Sequence, residues 1–361
     1  MKRTLFLISL FSIGIFSCKK EEKPNDKQDF DKKGMLTNYG NNIIVPRYQK
    51  LQSDLNELNV EVSNFMVTSD LVSFTKIKNA FNKTYLSWQA VSYFQFGPAE
   101  TEVLRSVFNV FPVDTSKINR NISSGSYVLG SAANTDAIGL PALDYLLNKG
   151  SSKTASFAYY SGSQSYNKKK YLKDIVSQLS TSLGNVLNEW KSNYKSIFNN
   201  ADGTGQGSSL SEMVNALNYD FERFIRDGKI GIPLGVRSLG TPLPEKTEGN
   251  FSEISLDLCI ESITQLKSYF NGGTGKGLDD YLANLEAKHN SIPLEDKINA
   301  QFDAILNRLK ALSSPLSQEV TTNAPAVQQV YNEMQKMVIL LKVDLSSALS
   351  ILITYQDNDG D

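Results

Sequence analysis

Residues 168–198 read KKKYLKDIVSQLSTSLGNVLNEWKSNYKSIF, about thirty residues without a proline. Their apolar side chains recur in steps of three and four, at Tyr171, Ile175, Leu179, Leu183, Val186, Trp190, Tyr194 and Ile197. This spacing places them along one side of an α-helix, and a helix of this kind buries that side against its neighbours. The stretch therefore predicts one long amphipathic helix.

The same period recurs on both sides of this helix. Residues 71–96 carry the stripe Leu71, Phe74, Ile77, Phe81, Tyr85, Trp88 and Val91, and residues 324–355 carry another that runs from Val327 to Leu352. Shorter helical patterns cover residues 36–66, 137–148, 208–228, 252–270, 277–289 and 294–313. Alternating patterns typical of strands are scarce, and the β-rich run 105–113 is interrupted by Phe111-Pro112. We predict an all-α fold built from helical bundles.

Three segments rich in glycine, proline and small polar residues separate these helices. They are 199–209 (NNADGTGQGSS), 231–250 (GIPLGVRSLGTPLPEKTEGN) and 271–277 (NGGTGKG). The second has no apolar period and is the best domain boundary, which predicts one bundle over 35–240 and another over 241–361. The third ends Gly-Lys-Gly, but a phosphate-binding loop needs Ser or Thr after the Lys and a preceding strand. Nucleotide binding is therefore not expected.

Charge and histidine content exclude several classes of function. The chain has 37 Lys+Arg, 38 Asp+Glu and one His, for a formal charge of −1. Nucleic-acid binding normally needs a basic surplus, so a nucleic-acid partner is not expected. A zinc site of the HExxH type needs two His residues and cannot be built from this chain alone.

The first residues have the pattern of an export signal. Met1, Lys2 and Arg3 precede an apolar run over 5–16 that is too short to cross a bilayer as a helix, and Ser17-Cys18 follows. This predicts a lipoprotein signal peptide over 1–17 and lipidation of Cys18, which would attach the protein to a membrane. The alternative is ordinary cleavage with Cys18 free.

A flexible tether is predicted over 18–34, because KKEEKPNDK at 19–27 has no apolar residue. Its basic and then acidic residues resemble the surface-export signal of Bacteroidetes lipoproteins. We therefore expect an outer-membrane lipoprotein exposed on the surface, with the periplasmic face as the alternative. The second cysteine, Cys259, lies in an apolar helical stretch and is expected to be a buried free thiol without a disulfide partner.

Five further segments, in order along the chain, carry a family resemblance: NYGNNIIVP at 38–46, FQFGP at 94–98, NTDAIGLPALDYLL at 134–147, KIGIPLG at 229–235 and ITYQDNDGD at 353–361. Together they resemble the imelysin family, whose members are also described as imelysin-like or iron-regulated exported proteins. The resemblance implies two helical-bundle domains and a site near the domain interface marked by Gly-x-His-x-x-Glu. Some members of the family are called metallopeptidases, and others are tied to iron acquisition.

This chain departs from that motif, since it reads Gly139-Leu140-Pro141-Ala142-Leu143-Asp144. Pro141 stands in place of the His and has no side-chain donor, acceptor or charge, whereas His could bind metal or move protons near neutral pH. Gly139 and Pro141 also fit an ordinary helix start, with Asp144 as an ionised residue near its N-terminus. The motif is thus either a ligand-binding or metal-binding remnant or a purely structural element.

Two other segments invite a site interpretation. Asp357, Asp359 and Asp361 form an oxygen-rich tail that begins like a calcium loop but ends before the Glu that such a loop needs at its twelfth position. The tail is either a loose cation ligand near the domain interface or a solvated terminus. The single His, His289, is expected in the last turn of the helix 277–289, where it would complement the helix dipole.

Three functions fit these observations. The first is a non-catalytic binding lipoprotein that serves the uptake of iron or another nutrient, with an outer-membrane uptake receptor as partner. The second is a metallopeptidase whose metal is held by carboxylates of Asp144 and of Glu100, Glu102 or the tail; carboxylates suit Ca, Mg or Mn better than zinc. The third is a structural surface protein that contacts other proteins. The cofactor is not identified by the sequence, although a divalent metal or iron is the natural candidate.

Overall fold

The long apolar stripes become long helices in the computed structural model, which describes residues 29–313 and 315–355. In the first part of the chain the α-helices are α1 Lys32–Asn38, α2 Val45–Val67, α3 Leu71–Gln89, α4 Pro98–Thr101, α5 Leu104–Phe108, α6 Thr115–Ser124, α7 Gly139–Asn148, α8 Lys153–Ala158, α9 Ser165–Glu189 and α10 Lys195–Asn200. The remainder are α11 Ser209–Tyr219, α12 Ile232–Leu234, α13 Ser255–Phe270, α14 Leu278–Asn284, α15 Leu294–Lys310, α16 Leu316–Thr322, α17 Ala324–Val338 and α18 Ser346–Ala348.

Several of these helices run on through π-helical segments, which are Tyr39–Ile44, Trp190–Tyr194, Asp220–Gly231 and Ile339–Leu345. Short 3-10 turns occupy Ala132–Ala137 and Pro244–Lys246. The strands β1 (Lys288–His289) and β2 (Ile292–Pro293) form one small antiparallel hairpin. The prediction of an all-α fold is confirmed for the part of the chain that the structure describes.

The first group of packed helices is α2, α3 and α9, with α7 against α9. Its apolar stripes face inward: Trp88 of α3 and Trp190 next to α9 are fully buried, and Trp88 stacks on Phe108 with ring centroids 4.8 Å apart. Side chains at the end of a predicted stripe can lie outside, since Ile197 is 53% exposed. Helix α3 begins with a capping box in which Asp70 accepts from the backbone N–H of Ser73 at 2.7 Å.

The second group is α13, α15 and α17, and it meets the first where α13 packs on α3. The loop 271–277 is held by α1, because Asn38 Nδ2 donates to the carbonyls of Gly272 and Lys276 at 2.8 and 2.9 Å. Cys259 of α13 is fully buried and free, which confirms the expected buried free thiol, and burial raises the pKa of this thiol to about 12. The division at residues 240 and 241 stays a prediction.

Several predictions fall outside the described residues. These are the signal peptide over 1–17, the lipidation site Cys18, most of the tether and the tail acids Asp357, Asp359 and Asp361. Within residues 29–313 and 315–355, no helix combines the length and the apolar character needed to cross a membrane.

Candidate functional site

Helix α7 begins at the first residue of the altered motif. Gly139 has φ +79°, and a Cβ placed on it would lie 2.5 Å from the carbonyl oxygen of Phe108, so this position accepts only glycine without strain. Pro141 follows two residues later in the first turn of α7 and is buried. The prediction that Gly139 and Pro141 start a helix is therefore confirmed.

Asp144 lies one turn further along α7 and is 2% exposed. Its Oδ2 accepts the backbone N–H of Phe251 at 3.0 Å, and its Oδ1 accepts Nδ2 of Asn148 at 3.3 Å. Burial raises the pKa of this carboxyl to about 6, against the opposing hydrogen bonds from Ser252, Phe251 and Asn148. Asp144 thus ties α7 to the segment before α13 with both of its oxygens in use.

Two of the acids that the sequence grouped with Asp144, Glu100 and Glu102, lie in or beside α4, and the tail acids Asp357, Asp359 and Asp361 are outside the described residues. Glu102 accepts from Asn185 Nδ2 at 3.3 Å on the side where α9 passes, and Glu100 lies within α4. Nowhere among the described residues do three or more His, Cys, Asp or Glu side chains come together as a metal-binding group. A carboxylate metal site built on Asp144 is therefore not assembled by this part of the chain.

The helix predicted to carry His289 ends earlier, so that interpretation was wrong. Helix α14 stops at Asn284, and His289 belongs to β1. Asn290 and Ser291 have φ values of +48° and +70°, a left-handed pair that reverses the chain into the hairpin. His289 Nδ1 lies 2.8 Å from Oδ2 of Asp344.

Sequence reasoning missed the most heavily charged buried element, the π-helix Asp220–Gly231, which we call the buried π-helix. It continues α11, leads into α12 and packs on α13 and α17. At least 95% of each of five charged residues on it is buried: Asp220, Glu222, Arg226, Asp227 and Lys229. Buried charges must be paired or hydrogen-bonded, and π-helical segments often occur at functional sites.

Lys229 lies at the centre of a closed polar network. Its Nζ donates to Glu248, with which it forms a buried ion pair, and to Gln89 Oε1 at 2.9 Å. Gln89 Nε2 and Asn109 Nδ2 both donate to Glu248 Oε1, at 3.1 and 2.7 Å. Tyr85 OH donates to Asn109 Oδ1 at 3.1 Å, which leaves both ends of the Asn109 amide engaged. The network joins α3, the 109–112 segment, the buried π-helix and the chain before α13.

A second buried pair lies at the other end of the same element, nine residues before Lys229. Asp220 binds Arg105 of α5, whose guanidinium carbon also lies 3.7 Å from the centre of the Phe224 ring. Burial raises the pKa of Asp220, while Arg105 and Lys229 oppose that shift. Arg105 is therefore neutralised by Asp220 and fixed on the face of Phe224.

A cavity of about 280 Å³ opens beside these pairs, between the 105–112 segment and the buried π-helix. We call it the Phe111–Phe224 cavity. Its walls are mostly apolar, and Asn109 connects it to the network around Lys229. The residues that line it are Arg105, Ser106, Asn109, Val110, Phe111, Pro112, Arg223, Phe224, Gly228, Ile232 and Lys246. Apolar clefts with a few placed polar groups are the usual form of small-molecule sites.

The family model described as imelysin, peptidase M75, matches residues 44–341 and so spans both groups of helices and the buried π-helix. This chain belongs to the imelysin family. Two solved imelysin-like structures resemble it in fold. One, from Parabacteroides distasonis ATCC 8503, is described as an iron-regulated protein A precursor: it is 16% identical, with a TM-score of 0.72, over 91% of this chain and 97% of that one.

The other is an imelysin-like protein from Psychrobacter arcticum 273-4, also 16% identical, with a TM-score of 0.71 over 90% of this chain and 97% of that one. No curated protein sequence matches the chain. At this identity the two structures establish the imelysin fold and leave the chemistry of the site to the residues themselves. The resemblance to the imelysin family placed Lys229 only in a connecting segment and gave it no role at a site. The density of charged residues in DFERFIRDGK at 220–229, next to apolar helices, was the sequence feature that could have indicated the buried charged network.

Proposed function

We propose that this imelysin-family protein is a non-catalytic binding lipoprotein for iron or another nutrient, with its ligand in the Phe111–Phe224 cavity. The observation that carries the proposal is that the Asp144 side chain is buried and already hydrogen-bonded within the protein. Its carboxylate binds Phe251 and Asn148, and Pro141 occupies the position where the resemblance implies His. Those motif positions hold the fold together, while the cavity near the buried π-helix is open to a ligand.

The metal implied by the peptidase name of the family does not fit the motif residues of this chain. A catalytic metal centre needs about three protein ligands and an open position. Pro141 offers no donor atom, and Asp144 is one carboxylate whose oxygens already accept hydrogen bonds from Phe251 and Asn148. We therefore derive no hydrolytic step from this site, and no contact among residues 29–313 and 315–355 favours the metallopeptidase alternative.

The proposed location rests on the sequence before residue 29. A basic start, an apolar run and Cys18 fit lipid attachment, and the charged stretch after Cys18 fits display at the outer surface of an outer membrane. An anchored binding protein would deliver its ligand to an outer-membrane uptake receptor, which is the partner we propose. Substituting Cys18→Ala should release the protein from the membrane fraction; a protein that stays there without Cys18 would contradict the lipid anchor.

The binding function is tested on the purified protein with two assays run in parallel. Ferric citrate and haem are added in thermal unfolding experiments, since a ligand that binds only the folded state raises Tm. A casein or peptide-library digest is followed with and without Zn²⁺, Mn²⁺ or Ca²⁺. The proposal expects a rise in Tm with a nutrient ligand and no cleavage. Metal-dependent cleavage that Asp144→Ala abolishes would overturn it.

A further inference from the structure

The Phe111–Phe224 cavity has a specific chemical character, and this inference rests on its proposed role as the ligand site. Its walls are the apolar side chains of Val110, Phe111, Phe224 and Ile232, with Ser106 exposed at the mouth. Phe224 is held in place by the Arg105 guanidinium on its ring. An apolar, flat molecular body suits these walls, because aromatic rings gain from stacking as well as from burial.

The charges that line the cavity are all positive. Arg105, Arg223 and Lys246 line it, and no Asp or Glu is among its described lining residues. Arg105 is already neutralised by Asp220. Arg223 and Lys246 form no ion pair with any residue in the described ranges; the contact of Arg223 is with the ring of Tyr219, at 5.9 Å. Two cations thus border an apolar cavity without a counter-charge from the protein.

Nearby carboxylates do not supply that counter-charge. Asp227 lines an adjoining cavity that also includes Arg223, but Asp227 is bound by Arg237 Nη2 at 2.6 Å and by Arg226 Nε at 3.2 Å. Glu248, behind Asn109, is bound by Lys229. Each buried acid around the cavity therefore has its own cation, and the positive charge at Arg223 and Lys246 remains for a ligand.

We propose that the cavity binds an organic anion with an apolar, flat body, whose carboxylate pairs with Arg223 and Lys246 while its body lies between Phe111 and Phe224. Arg favours carboxylate through two parallel N–H donors, and Lys adds a point charge. The pair is half-buried, so the attraction is less screened by salt than it would be between fully exposed groups.

Three probes of one shape test the charge requirement on the purified protein: 2-naphthoate, neutral 2-naphthylmethanol and cationic 2-naphthylmethylamine. Their affinities are measured by isothermal titration calorimetry. We expect 2-naphthoate to bind at least about tenfold more tightly than either of the other two. Arg223→Gln with Lys246→Gln should remove that preference, whereas the matched substitution Arg120→Gln, on α6 and outside the cavity lining, should preserve it.

Each outcome bears on the inference separately from the proposed function. Equal affinity of the neutral and anionic probes, or a preference that survives in the Arg223→Gln, Lys246→Gln variant, would overturn the inference and leave the binding function standing. Failure of all three probes to bind would also overturn it, and the nutrient screen by thermal unfolding would then decide the proposed function by itself. Retained Tm and helical circular dichroism in each variant show that a lost affinity is not lost folding.

Discussion

Oδ2 of Asp144 accepts the backbone N–H of Phe251 at 3.0 Å, across 107 residues of chain. This contact joins α7 to the segment that leads into α13. It places the acid of the altered motif in the interior as a structural link, because a buried N–H group without an acceptor would cost free energy.

The titration of Asp144 should make stability depend on pH. Its pKa is raised to about 6 in the folded protein from 3.8, so the folded state binds the proton more tightly than the unfolded state. The resulting stabilisation is fully present below about pH 4 and is lost as pH rises through about 6, a change of roughly 3 kcal/mol in the free energy of unfolding. Urea unfolding of the wild type and of Asp144→Asn across this range measures it. The free energy of unfolding of the wild type should fall relative to that of Asp144→Asn as pH rises. A difference between the two proteins that stays constant with pH would contradict a buried Asp144 carboxyl with a raised pKa.

The backbone at Gly139 predicts the effect of adding one methyl group. Gly139→Ala would combine a left-handed φ with a Cβ 2.5 Å from the Phe108 carbonyl oxygen, and should cost about 2 kcal/mol or more of unfolding free energy. Gly184→Ala is the matched control, since Gly184 lies inside α9 with open space at its Cβ position; it should be neutral or stabilise by up to about 1 kcal/mol. Equal effects at the two glycines in urea unfolding would show that the start of α7 is not constrained as described.

The Lys229–Glu248 pair should behave as a unit. Lys229→Met leaves Glu248 charged and buried without its partner, which should lower the free energy of unfolding by about 3–5 kcal/mol. The double variant Lys229→Met, Glu248→Gln should lower it by clearly less than the sum of the two single changes. The exposed pair Lys83–Glu57 is the comparison, and Lys83→Met should change stability by at most about 1 kcal/mol. Additive single effects in the double-mutant cycle would contradict a coupled buried pair.

The long helices could be predicted because apolar residues spaced three and four apart lie on one side of an α-helix, which is the side that becomes buried. The stripe from Tyr171 to Trp190 is buried as expected. The end of α14 could not be predicted in the same way, because the hairpin at His289 depends on left-handed conformations of Asn290 and Ser291 that the local pattern does not specify.

The site was less accessible from sequence than the fold. Gly139 and Pro141 showed a helix start through their own backbone preferences, but the partner of Asp144 lies 107 residues away and has no local signal. The buried π-helix was predicted as part of an ordinary helix, because the spacing of apolar residues does not show that the backbone hydrogen bonds change from the α-helical to the π-helical pattern. Lys229 on this helix donates a hydrogen bond to Gln89, which lies 140 residues earlier in the chain, and only the tertiary fold brings the two together.

The central claim is that ligand binds in the Phe111–Phe224 cavity and not at the altered motif. It is tested most directly by titrating 2-naphthoate into four proteins near pH 7 by calorimetry. Ser106→Trp places an indole at the exposed mouth of the cavity, and Ser53→Trp places the same group on an exposed position of α2 as the control. We predict that Ser106→Trp weakens binding by about tenfold or more, while Ser53→Trp and Asp144→Asn stay within about twofold of the wild type. Unchanged affinity in Ser106→Trp, or affinity lost in Asp144→Asn at retained Tm, would contradict the account.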